Sequence, residues 1–296
     1  MAKSSTQAVI PERSSSVLRG LRFQHIARRI AAYGALVVLG ALFSIPFLWL
    51  FSTSLKAPEQ LFRLPPEWIP NPVAWGNYPR ALTAIPFFLY LQNTLYITFF
   101  NVVATLISCS LAAYGFARIE WPGRNALFVV LLGTLMIPYS VIQIPQFLIF
   151  RDLGWIGTTN PLTWPAFFGN AFFIFLLRQF YLTIPQELSA AAKIDGASEL
   201  QIYWRIILPL SRPALAVVAL FTFMNNWNDF VGPLIYLGDR EQYTLAIGLY
   251  GFLSRARTEW GPLMAAAMLM IAPIIVLFFF TQRTFIQGIT LTGLKG

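Results

Sequence analysis

Six long apolar runs constrain the fold of this chain more than any other feature of its sequence. They lie near residues 31–55, 90–117, 127–150, 160–182, 213–237 and 262–282. About 20 helical residues are enough to cross the hydrocarbon core of a bilayer, and the runs lack the period-2 alternation of transmembrane barrel strands. The sequence therefore predicts an all-α polytopic membrane protein with six transmembrane helices.

Composition agrees with this fold class and excludes others. The chain is 57% hydrophobic and 11% charged, whereas a soluble domain carries about 25% charged residues. The net charge of +9 does not indicate nucleic-acid binding, because the basic residues flank apolar runs, where they set topology. Cys109 and His25 are each the only residue of their type, so we expect neither a disulfide within the chain nor a metal site of the usual kind.

The distribution of Lys and Arg predicts the orientation. The side that carries the N-terminal tail, the segment 183–212 and the C-terminal end holds 14 of the 21 basic residues. The positive-inside rule places that side in the cytoplasm. We expect a basic, partly disordered tail over residues 1–28, an uncleaved first span, and a single transmembrane domain over residues 29–296.

The polar segment 183–212 between the fourth and fifth runs predicts a cytoplasmic helix–break–helix. Residues 186–194 contain strong helix formers, including three alanines, and Gly196 then tolerates the positive φ of a helix end. Ser198 and Gln201 have the spacing of a capping box for a second helix, which Pro209 is expected to end. The small side chains favour close approach of a partner protein, although an amphipathic connector has the same pattern.

The residues of this segment carry a resemblance to a known family. Ala191-Ala192, Gly196, Ile206 and Leu208-Pro209 match the spacing of the coupling loop in integral membrane subunits of binding-protein-dependent ABC importers. Ala190 stands where that family usually has Glu, and Glu187 lies three residues earlier. The resemblance implies that a set of residues in this segment couples the chain to an ATPase. They are Glu187, Ala190, Ala191, Ala192, Asp195, Gly196, Ala197, Ile206, Leu208 and Pro209.

Further segments are similar to the maltose-type carbohydrate permeases. They are Met136-Ile137-Pro138, residues 176–180, residues 184–188, residues 227–230 and residues 293–296. The resemblance implies a sugar-import subunit in the cytoplasmic membrane of a bacterium or archaeon. Its implied partners are a second permease subunit, two cytoplasmic ATPase subunits, an extracytoplasmic solute-binding protein, the sugar and membrane lipid. The chain has no G-x-x-x-x-G-K-[ST] motif, so ATP and Mg²⁺ are expected in the ATPase partner, and this chain itself is expected to bind no cofactor and to catalyse no reaction.

Polar residues inside the runs predict a pathway for the solute. Asn225, Asn226 and Asp229 share one face of a helix over the fifth run, with Asn228 at its border. In the third run, Tyr139, Gln143 and Gln146 share another face. The predicted substrate-pathway residues are Asn225, Asn226, Asn228, Asp229, Tyr139, Gln143 and Gln146.

The same residues also fit a structural reading. Amides within a bundle commonly bond neighbouring helices, and Asp229 could hold a broken helix end near Gly232-Pro233. Asn93, Asn101 and Asn170 are expected to make packing hydrogen bonds.

The sequence alone leaves alternatives to an ATP-driven importer open. A stand-alone secondary carrier or channel would take up solute without an ATPase, and an intramembrane enzyme would need catalytic groups that the runs lack. The proline-rich loop 56–89 is either a structured connector or part of a docking surface for an external protein. The sequence does not identify the sugar.

Overall fold

The computed structural model describes residues 14–253 and 258–293, and within these ranges the chain is helical, with no strand. The first half contains α1 (Ser14–Ser54), α2 (Asn77–Ala84), α3 (Phe87–Arg118), α4 (Arg124–Thr134), α5 (Tyr139–Asp152), α6 (Asn160–Thr163) and α7 (Ala171–Thr183). The second half contains α8 (Gln186–Ile194), α9 (Glu199–Ile202), α10 (Leu208–Leu210), α11 (Arg212–Trp227), α12 (Val231–Tyr236), α13 (Leu245–Tyr250) and α14 (Trp260–Gly293). A π-helical turn over Tyr203–Ile207 joins α9 to α10.

The membrane-crossing helices of the described part confirm the predicted fold class. Four are long and apolar enough to cross on their own: Arg28–Ser54, Phe87–Arg118, Asn160–Thr183 and Trp260–Gln282. Two bent pairs, α4 with α5 at 98° and Glu199–Leu210 with α11 at 77°, bring the number to six when each counts as one span. The predicted disorder of the tail lies partly outside the described residues, and from Ser14 onward the chain is helical.

The predicted fifth run is not one helix, and this is a correction. Helix α11 ends at Trp227, and α12 begins only at Val231. Asp229 therefore lies in the break, where its Oδ1 accepts a hydrogen bond from the Gly232 backbone N–H at 3.0 Å. A short carboxylate that bonds a backbone N–H favours the start of a new helix over continuation of the old one.

Close packing at Gly232 holds this break in place. A Cβ added at Gly232 would come 2.4 Å from Asp229 Oδ2 and 3.0 Å from Leu162 Cδ2. No side chain fits between these atoms, so the residue at this turn has to be glycine for Asp229 to cap α12.

Helix α3 is the centre of the bundle, because it packs against both α7 and α11. One half of the core is formed by Cys109, Ala113, Leu177, Ile207 and Val218, all fully buried. Complete burial of one Leu or Val side chain stabilises a fold by about 1.5–3 kcal/mol. The segment 183–212, called the coupling segment below after the resemblance, therefore shares its core with the spans through Ile207.

The opposite half of the bundle has its own buried cluster. Phe87, Tyr90, Trp227, Leu245 and Met270 pack together there. Trp227 Nε1 donates a hydrogen bond to the Met270 carbonyl at 3.0 Å, which ties the end of α11 to α14. Trp227 is thus a structural residue, directed away from the predicted pathway face.

Candidate functional site

The break in the coupling segment is a helix C-terminus followed at once by a new N-terminus. Gly196 has φ +81°, and its N–H donates to the Lys193 carbonyl at 3.0 Å while the Ala197 N–H donates to the Ala192 carbonyl at 2.9 Å. This pair of bonds is the Schellman motif, which requires a left-handed residue at the position of Gly196. The predicted break is confirmed at the predicted residue.

The second helix starts with the predicted capping box. Ser198 Oγ accepts from the Gln201 N–H at 3.4 Å, and the Gln201 side chain accepts from the Ser198 N–H at 2.9 Å. A cap of this kind is worth about 1 kcal/mol. The two helices are therefore joined by only four residues, Asp195 to Ser198, with little freedom between them.

Helix α8 presents a surface of small and charged residues to the surroundings of the bundle. Ala190 and Ala191 are exposed, as are Glu187 and Asp195, and no residue of α8 is buried. Ala192 and Ala197 face the other way and pack against the buried core. One face of the alanine row therefore touches the bundle while the other face is open to a partner.

The second half of the segment anchors it to the spans. Ile202, Tyr203 and Ile207 are buried, and Ile206 and Leu208 pack against the same core. The resemblance places Ile206 and Leu208 among the residues that couple to an ATPase. In the structure both pack against the core, so they fix the segment to the spans and do not form part of its exposed surface.

One prediction about this half is wrong in detail. Pro209 does not end the helix, because it lies within the first turn of α10, where its missing N–H costs little. The chain turns two residues later, at Ser211.

Polar side chains also join the coupling segment to α3. Tyr114 donates to Glu199 Oε2 at 2.6 Å, and Lys193 Nζ lies 2.6 Å from Glu199 Oε1. Glu199 therefore bridges α3 and the C-terminal end of α8 across the Gly196 break. A second bond at 2.7 Å joins the hydroxyls of Ser110 and Tyr203.

Two arginines connect the C-terminal ends of α3 and α7, one from each helix. Arg118 Nη2 donates to the carbonyls of Tyr181 at 2.7 Å and Ile184 at 2.5 Å. Arg178 Nε donates to the Phe116 carbonyl at 3.2 Å, and its guanidinium lies 4.1 Å over the Phe128 ring. Cations at helix C-termini also complement the helix dipole, so these basic residues have a structural role besides setting topology.

The predicted pathway residues of the fifth run differ in what they bond. Asn226 Nδ2 donates to the Thr222 carbonyl and Asn228 Nδ2 to the Met224 carbonyl, each at 2.8 Å. Asn225 is exposed, and within the described residues its amide makes no hydrogen bond. Asp229 takes the alternative role of holding the broken helix end, as described above.

The third run approaches the same break from α5. The Tyr139 phenol interacts electrostatically with Asp229 and with Tyr236 of α12. Gln146 Oε1 is buried without a hydrogen-bond partner among the described residues. Gln143 is half-buried. The structure therefore places one residue of the third run, Tyr139, near the α11–α12 break.

The weaker amide candidates make packing hydrogen bonds, as expected. Asn93 Nδ2 donates to the carbonyls of Glu241 and Tyr243, Asn101 Nδ2 donates to the Leu162 carbonyl, and Asn170 caps α7. Among the described residues, no three His, Cys, Asp or Glu side chains gather in a way that could hold a metal ion.

Sequence reasoning missed several residues that shape the site. Tyr114, Ser110 and Tyr236 are single polar residues in apolar runs, and no spacing rule connects them to residues distant in the sequence. Glu199 carried one usable signal, since an acidic residue in the first turn of a helix is stabilising in itself. Lys56 is buried next to the end of α1, and no sequence signal predicted its burial.

Comparison of the sequence with known protein families identifies the family to which the chain belongs. Residues 104–291 match the family described as "Binding-protein-dependent transport system inner membrane component". The matched part begins within α3 and includes the coupling segment, the pathway residues and most of α14.

Two curated relatives match nearly the whole chain. The arabinooligosaccharides transport system permease protein AraQ of Bacillus subtilis is 33% identical over 271 residues, which cover 90% of this chain and 96% of the relative. The sn-glycerol-3-phosphate transport system permease protein UgpE of Yersinia pestis is 32% identical, covering 86% of this chain and 93% of the relative.

A solved structure supports the same arrangement of helices. One chain from the crystal structure of a bacterial ABC transporter involved in the import of the acidic polysaccharide alginate superposes with a TM-score of 0.75. That chain is 26% identical, and the match covers 88% of this chain and 98% of the other.

Proposed function

The chain belongs to the family of binding-protein-dependent transport system inner membrane components, and from this premise we propose that it is one permease subunit of an ATP-driven importer of carbohydrate. In this role the chain forms part of the membrane pathway and catalyses no reaction itself. ATP and Mg²⁺ belong to a separate ATPase subunit, and the solute is delivered by an extracytoplasmic binding protein.

One observation carries the proposal: a short helix is exposed on one side and firmly fixed to the spans on the other. The free alanine face of α8 suits contact with a rigid partner, because it lacks long side chains that lose conformational entropy on binding. The buried residues of the π turn and the bonds of Glu199 connect that helix to α3. A displacement of α8 by a partner is thereby passed to the spans.

The orientation follows from the same proposal. An ATPase binds ATP in the cytoplasm, so α8 and both termini lie on the cytoplasmic side, in agreement with the charge distribution. The loop between α1 and α3 and the segment before α14 then lie outside, where they meet the binding protein. A second permease subunit completes the pathway next to the exposed amides.

The chemistry of the pathway face favours hydroxyl-rich solutes. The predicted pathway residues offer amides, a phenol and one carboxylate, which are donors and acceptors for sugar hydroxyls. None of the predicted pathway residues is a Lys or Arg, the usual partners of phosphate. This favours a carbohydrate such as the arabinooligosaccharides named for AraQ over the glycerol phosphate named for UgpE.

Reconstitution of the complete transporter tests the proposal. The chain is purified together with its second permease and its ATPase subunits, placed in liposomes with internal ATP, and supplied with the binding protein and a panel of labelled sugars. We expect uptake that requires ATP and the binding protein together. The matched control carries an ATPase whose P-loop lysine is replaced by alanine, which removes a direct contact with the nucleotide phosphates.

Two results would contradict the proposal. Equal uptake with the inactive ATPase would show that the chain works as a secondary carrier or channel. Conversion of solute by the purified chain alone, without partners, would show an intramembrane enzyme.

A further inference from the structure

A cavity of about 620 Å³ lies on the proposed external side, between the loop after α1 and the start of α14. Its wall includes the cations Lys56 and Arg80, the amide of Asn77, the carboxylate of Glu259 and the indole of Trp260. The proposed function places the two segments that line this cavity next to the binding protein but assigns no contact to the cavity itself, which is separate from the pathway residues and from the coupling segment.

Lys56 is the unusual residue of the cavity. It is 1% exposed, and among the described residues it forms no ion pair and its ammonium makes no hydrogen bond. Its Nζ lies 3.8 Å over the Trp49 ring, a cation–π contact that only partly replaces water. Burial lowers the pKa of the Lys56 ammonium, and the Glu67 carboxylate opposes that shift. A second carboxylate entering the cavity would favour the charged form further.

The wall around Lys56 is rigid. Asn77 Nδ2 donates to the carbonyls of Ser54 and Lys56, each at 2.9 Å, which fixes the chain on both sides of the turn after α1. A Cβ at Gly261 would come 2.7 Å from that same nitrogen, so α14 begins in direct contact with the turn. The backbone that carries Lys56 is therefore held in place by α2 and by the start of α14.

The remaining charges of the wall leave a net positive cavity. Arg80 Nη2 lies 3.3 Å from Glu259 Oε2, and both side chains are about half exposed. Glu259 thus neutralises Arg80 in part and leaves Lys56 unpaired. The rim has exposed aromatic residues, with Phe62 76% and Trp260 38% exposed, and the two rings pack edge-on against each other.

We propose that this cavity receives an acidic side chain, Asp or Glu, of the extracytoplasmic solute-binding protein, and that Lys56 is its main contact. A charge pair that is shielded from water can contribute strongly to a protein interface, and aromatic side chains are enriched in such interfaces. Exposed aromatic residues at a rim favour a protein over a small anion as the source of the carboxylate. The inference rests on the proposed function, since it needs a binding protein on this side.

The test uses the complete reconstituted transporter and measures the ATPase rate against binding-protein concentration. Lys56→Met keeps the length of the side chain and removes its charge, and we expect it to raise the half-maximal concentration of binding protein about tenfold. Glu259→Gln removes the carboxylate that competes for Arg80, so we expect the half-maximal concentration to fall. Arg63→Gln is the matched control, because Arg63 is an exposed cation of the same loop that does not line the cavity, and we expect no change.

The binding protein supplies the complementary variants. Its surface Asp and Glu residues are changed singly to Asn and Gln, and one of these changes should reproduce the loss in the parent transporter while adding nothing in Lys56→Met. If Lys56→Met fails to assemble, Arg80→Gln replaces it, since Arg80 is exposed and its loss should weaken stimulation in the same direction.

Specific outcomes overturn the inference. An assembled Lys56→Met transporter with an unchanged half-maximal concentration, or Arg80→Gln with no effect when it is the variant used, excludes the cavity as a contact. Inhibition of the parent by free glucuronate, lost in Lys56→Met and with every binding-protein variant normal, would show that the cavity takes a soluble carboxylate instead. If the parent transporter itself shows no stimulation by any binding protein, the proposed function fails, a result distinct from all of these.

Discussion

The coupling segment and the pathway face both leave polar or small residues exposed, but they are supported in opposite ways. In the coupling segment, Gly196 and Glu199 take part in bonds that the chain completes by itself. At the pathway face, the amide of Asn225 and the buried atom Gln146 Oε1 have no hydrogen-bond partner among the described residues.

This difference separates two kinds of functional surface. A segment that transmits a displacement, as proposed for the coupling segment, has to keep its shape. Its polar groups therefore form hydrogen bonds within the chain, and only its outer face is free for a partner. A pathway for solute has to exchange hydrogen bonds with a passing molecule, so some donors and acceptors are left unused, at a cost of about 1–3 kcal/mol for each buried group. The following substitutions test whether the two surfaces really differ in this way.

The largest effect is expected from Gly196→Pro in the coupling segment. Proline fixes φ near −65° and removes the N–H, whereas Gly196 has φ +81° and donates to Lys193. We expect the ATPase subunits no longer to co-purify with the permease pair, and uptake to be lost. Gly115→Ala is the control, since an added Cβ there meets no atom within 4 Å. Retention of the ATPase by the proline variant would contradict the role of the segment.

The pathway face is tested by two neighbouring amides. Asn225→Ala removes an amide that is free for solute, so we expect an increase in the KM for uptake of about tenfold, corresponding to one lost hydrogen bond. Asn226→Ala is the matched control, because that amide is already occupied by the Thr222 carbonyl. Equal KM values for the two variants would remove the distinction between free and occupied amides.

A smaller effect is expected from the bond between Tyr114 and Glu199. Tyr114→Phe, Glu199→Gln and the double variant form a cycle in which the interaction is about 1 kcal/mol, near fivefold in affinity for the ATPase subunits. The measurement is the dissociation constant of purified ATPase from the permease pair in nanodiscs. Additive single effects would mean that Glu199 does not fasten α8 to α3.

The smallest effect is expected from Ala190→Glu, which introduces the residue usual in the resembling family. Ala190 is exposed on the free face of α8, and an exposed charge contact contributes about 0.2–1 kcal/mol. We expect about a two- to threefold tighter ATPase contact, lost at high salt. Ala190→Gln has nearly the same shape without the charge and serves as the control, and an equal gain from both would assign the effect to packing.

The sequence predicted the coupling segment closely because its signals are local. The positive φ of Gly196 and the capping box of Ser198 are set by residues three or fewer positions away. The same local rules failed for Pro209, since the π turn before it changes the hydrogen-bond pattern of the helix, and no sequence pattern announces a π turn.

At the pathway face, the important interactions are distant in the sequence. Helical spacing predicted Asn225, Asn226 and Asp229 on one face of a helix. In the structure Asp229 lies outside α11 and caps α12 instead. The proximity of Tyr139 to Asp229 depends on the 98° bend between α4 and α5, and the burial of Lys56 depends on the start of α14. Such contacts are decided by tertiary packing, which periodicity does not report.

The paired arginines at the ends of α3 and α7 have a kinematic consequence. They bind backbone carbonyls, so a turn of either helix about its own axis would break bonds of both arginines together. We expect α3, α7 and α8 to move as one body, and the swing that opens and closes the transporter to arise at the α4–α5 elbow, where Leu135, Met136 and Ile137 are loosely packed and exposed.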